Sequence, residues 1–210
     1  MQRSSDTSMR AIDLAAANEF GGRVAGIDEA GRGPWAGPVV AAAVILDERH
    51  IPSGLNDSKA LSAASRDRLF SEIQATAVVG VGIVDVATID RINILQATLL
   101  AMRNAHAALD GPTAVALVDG NRPPALSCPV RTIVKGDATS ASIAAASIVA
   151  KVTRDRLMAE LGQQLPAYGF ERHKGYGTRE HRAALSAHGP TAHHRRSFAP
   201  IRAILAERRT

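Results

Sequence analysis

Cysteine is all but missing from this chain, and the single Cys128 excludes an intramolecular disulfide and any zinc site built on several thiolates. A reducing, cytoplasmic setting is therefore expected. Aromatic residues make up only 3% of the sequence, with one Trp, which argues against a binding surface built on several stacked rings. No apolar run reaches the roughly 18 to 20 residues of a membrane span, so no membrane partner is expected. Residues 1–20 carry Asp6, Asp13 and Glu19 without an apolar core of the signal-peptide kind, and are expected to form a short frayed lead-in.

What is present is an ordinary globular composition, 46% hydrophobic and 21% charged, in 210 residues, enough for one substantial core. Lys and Arg outnumber Asp and Glu by 25 to 20, which favours an anionic partner. The stretch that organises the rest is GIDEAGRGPWAGP, residues 26–38, preceded by Arg23-Val24-Ala25 and followed by a nearly unbroken apolar run to Leu46. This pattern predicts two buried strands joined by a Gly- and Pro-rich turn. Asp28 and Glu29 thus leave a buried strand together, and because neighbouring side chains alternate between faces, at least one needs a cation. Gly31 and Gly33 permit close backbone approach to a ligand, and Arg32 between them supplies a guanidinium suited to phosphate. Taken alone, the same turn also fits a solvated hairpin.

Further strands are predicted over 75–85, 114–118 and 131–134, and helices over 63–74, from Thr88 or Asp90 as cap to about Leu109, over 140–161 and over 181–188. Ile92, Leu95, Leu99, Met102 and Leu109 form a core stripe at helical spacing. Alternation of strand and helix argues for an α/β domain with a mixed sheet of about five strands, in which ligands bind at strand ends. Asp28, Asp119 and Asp137 all fall at such exits, although Asp137 also fits a helix cap. Lys59 sits in the loop LNDSKALS, either solvated or in contact with phosphate. The region 166–210 turns basic and holds five of the seven histidines; His193-His194 beside Arg195-Arg196 reads as a solvated basic surface rather than a metal site.

Four carboxylates at one place raise one another's pKa unless cations are present. Oxygen donors without Cys or a paired-His motif point to Mg²⁺ or Mn²⁺, two of which would suit in-line attack on a phosphodiester. A catalytically silent nucleic-acid-binding module is the alternative from another class, disfavoured because bare carboxylates repel phosphates. The turn GRGPWAG lacks the G-x-x-x-x-G-K-[ST] pattern of a P-loop.

The set GIDEAGRGPWAGPVV, LNDSKALS, INILQATLLAM, VDGN, KGD, SIAAASIVAKVTRD, HKGYGT and HRRSFAP, in this order from about Arg23 to Ala199, resembles type 2 ribonuclease H, ribonuclease HII. The resemblance implies a ribonuclease H-like mixed five-stranded sheet flanked by helices over residues 21–165, with a small basic helical appendage over 166–210 that contributes to substrate binding. It implies an endonuclease that cuts the RNA strand of RNA–DNA hybrids and incises 5′ to single ribonucleotides in duplex DNA, leaving 5′-phosphate and 3′-hydroxyl ends. Asp28, Glu29, Asp119 and Asp137 match the family's catalytic carboxylates, which hold Mn²⁺ or Mg²⁺. Gly31, Arg32 and Gly33 match the segment that contacts the junction and its 2′-hydroxyl. Tyr176 matches the tyrosine that stacks on the sugar at the deoxyribose side, and Lys59 and Lys174 match candidate backbone contacts. A monomer without an obligatory protein partner is expected. Trp35 stands where the family pattern suggests an aliphatic residue such as Leu, and is read as packing.

Overall fold

In the computed structural model, which describes residues 2–208 and the side chains of residues 9–208, a five-stranded mixed sheet runs in the order β3-β2-β1-β4-β5. The side chain of Asp6 in the expected lead-in, and Met1, Arg209 and Thr210 at the two ends, lie outside these limits. The strands are β1 (Val24–Ala30), β2 (Val39–Ile45), β3 (Val78–Val84), β4 (Val115–Asp119) and β5 (Val130–Ile133). The pairs β1/β2 and β2/β3 are antiparallel, whereas β1/β4 and β4/β5 are parallel. β2 is buried at all seven positions, as a strand covered on both faces must be.

Helix α4 (Ala141–Gln164) covers one face of the sheet, with α2 (Ala63–Thr76) beside it. Its run of Ala144, Ala145 and Ala146 packs with Ala42 and Val44 of β2. Gly26 of β1 makes this approach possible, since a Cβ there would lie 2.0 Å from the Ser142 carbonyl carbon. On the other face Ile27, Val39, Ala41 and Ala43 pack against α3 (Val86–Ala107).

The structure departs from the sequence reading in α3. Its cap is Asp85, which accepts from the Thr88 amide (2.8 Å), while Asp90 accepts from the Arg196 and Ser197 amides and anchors the C-terminal segment. The helix breaks at Asn93 (φ 68°), whose side chain accepts from the Gln96 amide and caps the second part. That break resets the helical phase. The buried face is consequently Ile89, Ala97, Ala101, Met102 and Ala105, with Leu99 only partly buried.

Residues 2–20 also differ from the expected frayed lead-in, for they form helix α1 (Gln2–Phe20). Ala16 is buried against Val115, Leu117 and Ile143, and the Asp13 carboxylate accepts from the Ala141 and Ser142 amides, both at 3.1 Å. An acid at the start of α4 satisfies amides that no turn of the helix can reach. From residue 166 the chain forms α5 (Phe170–His173), α6 (Arg179–His188) and α7 (Ala199–Glu207), which share an apolar cluster with Met158 and Leu161 of α4. No helix among the described residues is long and apolar enough to cross a membrane.

Candidate active site

The parallel register pairs Ile27 with Val118, so the next residues of the two strands, Asp28 and Asp119, lie side by side; Asp119 ends β4, but β1 continues past the expected exit at Asp28 to Ala30, still paired with β2. Asp28 points toward α4, and its Oδ1 accepts from the Glu29 amide (2.7 Å). Asp119 Oδ1 accepts from the Gly136 amide (2.7 Å), which fixes the turn that carries Asp137. That turn, Gly136–Ala138, is a single 3₁₀ turn, and the cap of α4 is Ser140, not Asp137. The Asp137 carboxyl is therefore left to the site.

Burial pushes the Asp28 carboxyl well above its ordinary pKa, and the neighbouring charges of Glu29 and Asp119 push it further. Glu29 is raised chiefly by burial, against the pull of Arg32, whose guanidinium lies 3.1 Å from it. Asp137 is raised by burial and then by Asp119 and Asp57. Lys59 Nζ stands 3.9 Å from Asp137 and from Asp57; burial works against its charge, but the surrounding carboxylates outweigh it and its pKa rises.

Three residues here carried no clear sequence signal. Ser147 of α4 lies beside Asp28 and favours its charged form, and its hydroxyl is 2.8 Å from that of Ser58. Asp57, in the same loop as Lys59, lies close enough to Asp137 for its charge to raise that carboxyl, and adds a fifth acid to the group. Their motifs, LNDSKALS and SIAAASIVAK, were visible, but which polar residue turns inward depends on how α4 docks.

Among the described residues no three His, Cys, Asp or Glu side chains already converge as a closed cage for an ion. The donor chemistry nonetheless fits a hard divalent cation: carboxylate oxygens, close enough to oppose one another's ionisation, with a buried acid whose charged form a bound cation would favour.

Beside the acids lies a second group. Tyr176 is 47% exposed, and its ring stands against Gly33, where a Cβ would be 3.7 Å away. The Gly31 to Pro38 turn and the loop carrying Tyr176 are joined by the Trp35 amide donating to the Gly175 carbonyl (2.8 Å). Trp35 packs beside His181 and Gly177, with the Arg182 guanidinium over its ring at 5.1 Å. Lys174 places its ammonium on the Glu171 carbonyl (2.8 Å), turned to its own loop rather than to the carboxylates.

The expected solvated surface at His193-His194 is only half present. His193 is exposed, but His194 and Arg195 are fully buried. The bonding pattern assigns the tautomers. The Thr191 amide donates to His194 Nδ1 (2.9 Å), His194 Nε2 donates to His181 Nε2 (3.0 Å), and His181 Nδ1 donates to the Tyr176 carbonyl (3.0 Å). Burial, and for His194 the charge of its neighbour, lowers the pKa of His181 to about 4 and of His194 to about 3.

The fold matches the ribonuclease H2 of Pyrococcus horikoshii OT3 with a TM-score of 0.73 at 30% identity, over 90% of this chain and 99% of that one. It is a ribonuclease H fold, with acids clustered at the exits of its central strands. Residues 25–201 match the family model described as Ribonuclease HII. The chain is 63% identical over 179 residues to ribonuclease HII of Xanthobacter autotrophicus, covering 85% of this chain and 72% of that protein. Against ribonuclease HII of Paramagnetospirillum magneticum it is 60% identical over 193 residues, covering 90% and 96%. The chain therefore belongs to the ribonuclease HII family and is a type 2 ribonuclease H.

Proposed function

We propose that the protein hydrolyses the RNA strand of RNA–DNA hybrids and incises 5′ to single ribonucleotides in duplex DNA. The observation that carries this reading is the placing of Asp28 and Asp119 side by side on adjacent parallel strands, with Glu29 and Asp137 alongside and the Gly31-Arg32-Gly33 turn and Tyr176 next to them. Asp28, Glu29, Asp119 and Asp137 would hold the divalent ions. When bound, two Mg²⁺ or Mn²⁺ ions would supply positive charge that favours activation of a water and departure of the leaving oxygen, and the cut would leave 5′-phosphate and 3′-hydroxyl ends.

The chain's own groups do the rest. Asp28 is held in place by the Glu29 amide, so its oxygens are oriented before substrate arrives. Arg32 is half exposed and rests on Glu29, from which a phosphate or the 2′-hydroxyl can draw it. Tyr176 offers an exposed ring to a sugar beside Gly33, whose lack of a side chain leaves room for the strand. Lys59, at the rim of the acids, offsets their charge and is placed to meet the backbone of the cut strand. Lys174 enters the reading as a backbone contact only if it leaves its carbonyl partner. The basic 166–210 region supplies further grip on the duplex. The protein acts as a monomer in this reading, in the cytoplasm.

Asp28→Asn tests the assignment. Cleavage of a labelled RNA–DNA hybrid in Mg²⁺ or Mn²⁺ should fall by at least about a hundredfold, with hybrid binding unchanged or tighter because a repelling charge is gone. Undiminished turnover would remove Asp28 from the site.

A further inference from the structure

We infer that Arg154 and Arg195 are positioning residues for substrate recognition: two buried guanidiniums that hold the turn carrying Gly31, Arg32 and Gly33 and the loop carrying Tyr176 as one rigid platform. The inference deepens the reading above and rests on it.

Arg154 and Arg195 are 1% and 0% exposed, and every hydrogen bond their guanidiniums make is to a main-chain carbonyl. Arg195 donates through Nε to Gly37 (3.0 Å), through Nη1 to Arg32 (2.9 Å), and through Nη2 to Gly31 (2.6 Å), Gly37 (2.9 Å) and Pro38 (3.2 Å). Arg154 spans both segments, donating through Nε to Pro38 (3.0 Å) and through Nη2 to Ala36 (3.1 Å) on one, and through Nη1 to Lys174 (3.1 Å) on the other. Burying two cations near each other with no carboxylate in contact is costly, and a core could be filled more favourably with apolar side chains. The arrangement makes sense if the planar fork is needed to tie together carbonyls that face one another across two loops.

Gly31 shows how closely the parts fit. It has φ +95°, and a Cβ there would lie 2.0 Å from Arg154 Nε. The ties are completed by main-chain bonds: the Trp35 amide to Gly175 (2.8 Å), the Arg195 amide to Trp35 (2.8 Å) and the Gly37 amide to His193 (2.9 Å). Neither arginine reaches the surface, so neither touches substrate; each acts through the backbone of residues that do.

The test uses Arg154→Lys and Arg195→Lys in the full chain with Mn²⁺, since lysine keeps the charge and loses the fork. Two labelled substrates are compared, a DNA duplex with one ribonucleotide and a long RNA–DNA hybrid. KM on the single-ribonucleotide duplex should rise about tenfold more than on the hybrid, the size of effect that sub-ångström misplacement gives. Amide hydrogen exchange should quicken together in residues 31–37 and 174–177 while β1 and β2 stay protected. Equal loss on both substrates with uniformly faster exchange would overturn the inference, since that is the signature of lost stability alone. If the unaltered protein cuts neither substrate, the functional reading fails and the exchange pattern still decides whether the platform exists. Should the lysine variants not fold, exchange in the unaltered protein decides it: the amides of Trp35, Gly37 and Arg195 should open with one common free energy, and distinct values would overturn the platform.

Discussion

The side chains around Tyr176 owe their order to histidines that stay neutral. His181 and His194 can each fill both of their hydrogen-bonding roles only with one ring nitrogen bare, and burial holds them in that state. A histidine whose folded pKa is lowered stabilises the fold above its ordinary value near 6.5, and that contribution drains away as pH falls through 6.5 toward the folded values of about 4 and about 3. Ring NMR resonances should therefore show both still neutral at pH 5; a midpoint near 6.5 for either would contradict the assigned relay. Tyr176→Ala should reduce incision at isolated ribonucleotides more than cutting of long hybrids, by about tenfold, as steady-state rates on the two substrates would show. Equal loss on both would count against a junction role for this ring.

At the scale of elements, the site depends on how closely α4 lies against β1. The Ala- and Ser-rich face of α4 and the bare Cα of Gly26 bring the helix backbone to the strand, and Ser147 reaches Asp28 only because of this approach. Gly26→Ala should destabilise the protein by about 1–3 kcal/mol or more, read as a lower midpoint in urea with little change in slope. A midpoint within error of the unaltered protein would show that the helix moves away at no cost. Asp13 of α1 serves the same end of this helix, by accepting from its first amides. The break at Asn93 has a comparable role in α3, turning small residues onto the sheet after Asp85 has started the helix.

Across the whole molecule, the sheet was legible because its strands are dense apolar runs that end abruptly in Asp-Glu, Asp-Gly and Gly-Asp. Asp28 and Asp119 were recognisable as strand-exit acids, and the parallel register then sets them side by side. What could not be read was anything decided by distant contacts. Arg195 looks like part of a solvated basic run because its partners are carbonyls of residues 31–38, more than 150 positions earlier in the chain, and His194 because the rings of His181, Tyr168 and Phe170 enclose it only once the region folds. Arg154 sits in a motif that reads as a plain helix, and its partners appear only when that helix docks. α1 is hard to read from its own residues because it gains its stability from packing on Val115, Leu117 and Ile143. The break at Asn93 is hidden in the sequence because it falls inside an apolar stripe at helical spacing.

The most direct test of the account is a labelled DNA duplex containing one ribonucleotide, incubated with the protein and Mg²⁺ or Mn²⁺, with EDTA and an all-DNA duplex as controls. The account predicts a metal-dependent nick on the 5′ side of the ribonucleotide, leaving a 3′-hydroxyl, and no cut in the all-DNA duplex. Absence of cutting with either ion, or equal cutting of the all-DNA duplex, would contradict it.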